Sequence, residues 1–105
     1  MSVTKGKQEQ GLGVRDEMEV QEPPLYQVLL HNDDYTSMDF VILVLEHVFR
    51  KSMPEATRIM LNVHQQGIGV AGIYPREICE TKIAIVRELA RKNAFTLRCT
   101  MERIE

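Results

Sequence analysis

The chain has 105 residues, 44% of them hydrophobic, which suits one small globular domain and no more. Thirteen basic and fifteen acidic side chains leave a formal net charge of −2, so no long-range field favours nucleic acid and none is expected as a partner. No apolar run reaches spanning length and no signal-peptide pattern opens the chain, so the expectation is a soluble cytoplasmic protein with no membrane partner.

Residues 1–24 hold three basic and five acidic groups, which accounts for the whole net charge. Gly6, Gly11, Gly13 and several glutamines interrupt any helical or strand period. A segment with so little to bury does not offset the entropy of ordering, and a mobile N-terminal extension is expected up to Pro23-Pro24. An inert tail is the commoner outcome of such a composition.

Residues 25–105 read as a single core domain. Leu25–Leu30 is a strand candidate, and its run Val28-Leu29-Leu30 suggests burial on both faces. Thr36 or Ser37 can cap a following helix; with Thr36 as cap, Asp39 falls at the third helical position, as in a capping box. Met38, Val41, Ile42, Leu45, Val48 and Phe49 then share one face. Ser52 opens a second helix, with Pro54 in its first turn and Glu55 three residues on. Ala56, Ile59, Met60 and Val63 form its stripe, and Gly67 and Gly69 end it. Gly67–Tyr74 is a second strand. Pro75 starts a third helix with Ile78, Cys79, Ile83, Val86, Leu89 and Ala90 on its apolar side, and Asn93 closes it. Thr96–Ile104 alternates loosely as a last strand. The order β-α-α-β-α-β points to an α+β fold, a small three-stranded antiparallel sheet packed against three helices.

Cys79 and Cys99 are a lone distant pair in a domain with a real core, so reduced thiols are expected. His31, His47 and His64 lack ligand spacing, and no cysteine sits near them in sequence, so no metal is expected. There is no phosphate loop and no dinucleotide fingerprint, hence no expected cofactor. Asp33, Asp34 and His64 offer acid/base groups, but Ser37 is better used as a cap and no nucleophile with an oxyanion hole is visible. No catalytic residue is assigned. A hydrolase using His64 is the weakest of the readings.

Two segments stand out. His31-Asn32-Asp33-Asp34-Tyr35-Thr36-Ser37 puts one amide and two carboxylates in succession at a strand-to-helix junction. Such acceptors either cap a helix or receive a ligand with several N–H donors. In Met60-Leu61-Asn62-Val63-His64 the histidine lies four residues after Met60, on the same helix face. A histidine near a helix C-terminus more often interacts with the helix end than with a ligand.

Together these segments resemble the ClpS family, the adaptors that bring N-end-rule substrates to a Clp unfoldase–protease. The resemblance rests on Asn32-Asp33-Asp34-Tyr35-Thr36-x-Met38, Met60-Leu61-x-Val63-His64-x-x-Gly67, Glu80-Thr81-Lys82 and Leu97-x-Cys99-Thr100. It implies binding of proteins whose unblocked first residue is Leu, Phe, Tyr or Trp, without catalysis. It implies that Asn32, Asp33, Asp34, Thr36 and His64 receive the terminal ammonium and first peptide group. Met38, Val41, Met60, Val63 and Leu97 are then the walls of an apolar pocket. It further implies that Glu77 and Lys82 dock the N-terminal domain of a Clp AAA+ unfoldase, of ClpA or ClpC type, and that the N-terminal extension helps a monomeric adaptor hand over its N-degron substrates. Asn62, His31 and Pro75 sit near these sites and could tune preference. The rival reading from another class is a non-catalytic docking domain resembling the C-terminal domain of the ribosomal stalk protein. A docking domain has no need of the Asn32/Asp34/His64 acceptor cluster, so that cluster separates the two.

Overall fold

The computed structural model describes residues 22–105. The expected mobile extension therefore lies outside the described residues, apart from Glu22-Pro23-Pro24, which are exposed and without regular structure. The elements run β1 (Leu25–His31), α1 (Met38–His47), α2 (Met53–Gln66), β2 (Ile68–Pro75), α3 (Arg76–Lys92) and β3 (Arg98–Arg103). The sheet is antiparallel in the order β2-β1-β3. The α+β arrangement with three helices is thus the one the hydrophobic pattern implies. No helix among the described residues is long and apolar enough to cross a membrane.

The central strand β1 alternates. Val28 and Leu30 are fully buried, while Leu29 between them is only partly so. The run of three apolar residues does not mark a strand covered on both sides. The helices cover one face, and Leu29 shares the other with Gln27 and His31. Val28 pairs with Met101 and Leu30 with Cys99 on β3, so both neighbours feed the covered face. A register shift between Val28 and Leu29 lets β2 fit one extra residue, Ala71, which is also fully buried.

Caps set the helix ends. The Ser37 hydroxyl accepts from the Phe40 amide at 3.1 Å and starts α1. Thr36 is not the cap; its hydroxyl is donated to Asp33 instead, and Asp39 does not occupy a capping-box position. Ser52 caps α2 by accepting from the Glu55 amide at 3.4 Å. The Glu55 carboxylate does not complete a capping box but pairs with Arg58. Gly67 ends α2 in the left-handed region at φ 87°, a conformation cheap only for glycine. Gly69 follows in β2 for a different reason: a Cβ there would lie 2.7 Å from Val63 Cγ2 and 3.3 Å from the Ile59 carbonyl, so its absence lets α2 sit close on the sheet.

The core joins Val44, Leu45, Val48 and Phe49 of the first helical region to Ile59 and Val63 of α2 and to Cys79, Val86 and Ala90 of α3. Ile78, on the expected stripe of α3, is exposed instead. Both thiols are free and buried, and burial raises the pKa of each, that of Cys99 to about 12. They behave as small core residues rather than nucleophiles. Lys82 joins α3 to the end of α1. Its ammonium donates to the Val48 carbonyl at 2.8 Å and lies 5.8 Å and 5.2 Å from the ring centroids of Phe49 and Tyr74.

Helix α3 ends in a tight reversal. The Phe95 amide donates to the Ala90 carbonyl at 2.9 Å and the Ala94 amide to Arg91 at 3.2 Å, the two bonds of a Schellman motif. Asn93 caps with ordinary φ, and Ala94 takes the left-handed position at φ 61°. The turn brings the Phe95 ring against Phe40, with centroids 4.6 Å apart. An alanine at such a φ is strained, and glycine is not. Ala94→Gly should therefore raise the unfolding free energy by roughly 0.5–1 kcal/mol, seen as a higher urea midpoint at unchanged slope.

Candidate functional site

The β1–α1 junction must turn from the sheet into a helix within six residues, 32–37. Two bonds organise it. The Asn32 amide donates to the Gly67 carbonyl at 3.0 Å, which ties the end of β1 to the end of α2. Asp33 folds the next turn: its Oδ1 accepts from the Tyr35 amide at 2.7 Å and its Oδ2 from the Thr36 hydroxyl at 3.0 Å. A third donor, the Thr96 hydroxyl, reaches Oδ1 at 3.1 Å from the turn before β3. Asp33 is accordingly half-buried, whereas Asn32 and Asp34 on either side of it are exposed.

A cavity of about 210 Å³ opens beside this junction. Asn32, Asp33, Asp34 and Thr36 form its polar rim, Met38 and Val41 come from α1, and Met60, Val63 and His64 come from α2. The spacing explains the set. Residues 38 and 41 lie one turn apart at the start of α1, and residues 60, 63 and 64 recur on one face of α2. Val41, Met60 and Val63 are 2–7% exposed and form the floor, while Met38 is 44% exposed and stands at the mouth. Two carboxylates and one imidazole line the cavity, with no lysine or arginine among the lining residues. An apolar chamber with acceptors at its rim suits a ligand that carries a cationic donor at one end and an apolar group beside it.

Every residue expected at the polar rim is in this lining, and four of the five expected walls. Leu97 is not in it; it is buried in the core between Thr96 and β3. Among the described residues His64 makes no hydrogen bond to Asp33, Asp34 or Ser37, and the Ser37 oxygen is occupied as the α1 cap. Nothing in the sequence pointed to Thr96, which lies 63 residues from Asp33; a lone hydroxyl after a helix end carries no local signal.

Residues 21–100 match the model of the family described as ATP-dependent Clp protease adaptor protein ClpS. The chain belongs to the ClpS family. It is 52% identical to the ATP-dependent Clp protease adapter protein ClpS of Desulfotalea psychrophila, over 96% of this chain and 99% of that one. It is 60% identical to the ClpS of Desulfatibacillum aliphaticivorans, over 76% and 77% of the two chains. Among solved structures it is similar to Agrobacterium tumefaciens ClpS2 bound to L-phenylalaninamide, at 40% identity and a TM-score of 0.76, over 79% of this chain and all of that one. Membership of this adaptor family of the Clp protease replaces the likeness to the ribosomal stalk domain.

His31 closes the open sheet face next to Asn32. Its Nδ1 lies 3.3 Å from Arg98 Nη2, which can only donate, so the ring proton sits on Nε2 and is given to Thr100 Oγ1 at 2.8 Å. Burial first, and the Arg98 charge second, hold its pKa below the ordinary 6.5. The unfolded chain therefore takes up a proton at His31 before the folded chain does. The stability tied to neutral His31 is complete above pH 6.5 and is lost as pH falls through the lowered value. His31→Gln should flatten the fall in urea midpoint between pH 7.5 and 5, measured at constant ionic strength; an unchanged slope would show that another group sets it.

Proposed function

We propose that this ClpS-family chain binds the free N-terminus of proteins that begin with Leu, Phe, Tyr or Trp and delivers them to a Clp AAA+ unfoldase–protease. The observation that carries the reading is one cavity with Asn32, Asp34 and His64 at its rim and Val41, Met60 and Val63 at its floor. A terminal α-ammonium needs several acceptors, and an amide oxygen, a carboxylate and a neutral imidazole supply them. Each charge-assisted bond contributes roughly 1.5–3 kcal/mol. Acetylation removes the charge and puts a carbonyl where acceptors already stand, so a blocked terminus is rejected.

The apolar half selects the side chain. An apolar cavity of about 150 Å³ already accommodates benzene, so about 210 Å³ admits the side chain of Leu or Phe. Its burial contributes roughly 1.5–3 kcal/mol. Unbranched Met38 and Met60 adapt to aliphatic and aromatic guests alike. The ligand of the Agrobacterium protein, an aromatic residue with a free α-amine and no free carboxylate, is a molecule of this chemistry and supports the reading.

Delivery needs other surfaces. In this reading Glu77 and Lys82 of α3 meet the N-terminal domain of the unfoldase, of ClpA or ClpC type, and the extension before residue 25 helps hand the substrate over from a monomeric adaptor. Glu77 is exposed and offers its carboxylate. Lys82 is half-buried with its ammonium held at Val48, so it acts there as part of a stiff surface. Removing residues 1–20 should leave peptide binding intact and impair degradation by the partner protease.

A Phe-first peptide should bind at least about 100-fold more tightly than its acetylated form, the equivalent of losing one or two charge-assisted bonds. Titration of both by fluorescence anisotropy checks this, and equal affinities would sink the reading. In this reading Met38, exposed at the mouth, meets the extra methyl of a β-branched first residue. Met38→Ala should tighten binding of Ile- and Val-first peptides by about 1–3 kcal/mol while keeping Leu, the scale of a methyl-sized discrimination. If the variant still rejects Ile and Val as the parent does, Met38 is not the gate.

A further inference from the structure

We propose that Thr96 is a positioning residue of the binding site, holding the acceptor loop in place through Asp33. The inference rests on the ammonium-binding reading above. Asp33 borders the cavity, yet its carboxylate is already committed to the Tyr35 amide, the Thr36 hydroxyl and the Thr96 hydroxyl. A carboxylate with three donors in place has little left for a ligand. Asp33 is thus the hub that shapes the loop, and exposed Asp34 beside it is committed to no partner among the described residues.

Two of those three bonds are local. They close the turn of residues 33–36 but cannot set where the turn sits relative to α2, which carries His64. Among the described residues the Thr96 bond is the one from Asp33 that leaves the loop, and it runs to a segment on the far side of α3 in the chain. Asn32, tied to Gly67, anchors one end of the loop against α2. Thr96 anchors its middle. The Thr96 hydroxyl is itself well held, because the left-handed turn at Ala94 and the Phe40–Phe95 ring contact fix the segment just before it. Thr96 is exposed and contributes nothing to the core, so packing does not explain the contact. Three acceptors that must converge on one ammonium depend on such outer support for their alignment.

The test is the affinity of a Phe-first peptide for the full chain, its Thr96→Val and Thr96→Ser variants, Asp33→Ala, and the double variant. Thr96→Val keeps the shape and removes the hydroxyl, and should weaken binding about five- to tenfold, while Thr96→Ser should stay within about twofold of the parent. Because Thr96 acts through Asp33, adding Thr96→Val to Asp33→Ala should change affinity by less than about twofold. Amide exchange gives a readout without ligand: the Tyr35 N–H should exchange faster in Thr96→Val, with the amides of Val44 and Val86 unchanged. Parent-like binding by Thr96→Val, or an equal loss in the Asp33→Ala background, overturns the proposal. So does unchanged Tyr35 exchange. The acetylated peptide is run alongside with the parent: no discrimination there defeats the ammonium reading itself, while the Tyr35 exchange still decides whether Thr96 holds the loop.

Discussion

The hydrogen bond from the Asn32 amide to the Gly67 carbonyl is the constraint on which the site depends. It joins two chain ends that point the same way, the exit of β1 and the exit of α2. A residue with a side chain at Gly67 would resist φ 87°, and the α2 terminus would then turn elsewhere. Gly69 acts with it, since the missing Cβ lets α2 settle on the sheet with Val63 in contact. With α2 seated there, Met60, Val63 and His64 face the β1–α1 loop across a gap, and that gap is the cavity.

The rim divides its polar groups into those bonded within the protein and those left exposed. Asp33 satisfies itself within the protein, and the loop keeps its shape without a ligand. Asn32 and Asp34 remain exposed at the rim. Preorganisation of this kind matters because a loop that ordered only on binding would take its entropy from the affinity. The apolar floor is continuous with the core through Val41, Met60 and Val63, so the chamber has stiff walls at its base and an adaptable methionine at its mouth.

Much of this was legible along the chain because it is local. Helical spacing marked the core faces of α1 and α2, and serines followed by suitable first-turn residues marked their starts. The glycine at position 67 marked the end of α2. Where the reading went astray, two local options were nearly equal and a distant partner chose between them. Thr36 and Ser37 can both cap a helix; Asp33 claimed the Thr36 hydroxyl and left the cap to Ser37. Asn93 does close α3 as its residue type suggests, while the left-handed residue one place on, Ala94, carries no such signal in its side chain. Val28-Leu29-Leu30 reads as doubly buried, but three helices on one side of a small sheet leave the other side open.

The sequence by itself determined the order of elements, the family, and most of the residues at the cavity, since each of these is written in short-range spacing or in motifs of a few residues. The tertiary structure alone decided how those residues are employed. Leu97 is buried in the same core as Val41, Met60 and Val63, and the cavity lining is made by those three and not by Leu97. Lys82 reaches from α3 to the Val48 carbonyl at the end of α1, a partner 34 residues away that no local spacing announces. Asp33 and Asp34 are adjacent and chemically identical, yet one is a half-buried structural hub and the other is exposed and takes no hydrogen bond from the described residues. Two of the Asp33 bonds are local, and the third comes from a hydroxyl 63 residues away that only the folded chain brings within 3.1 Å.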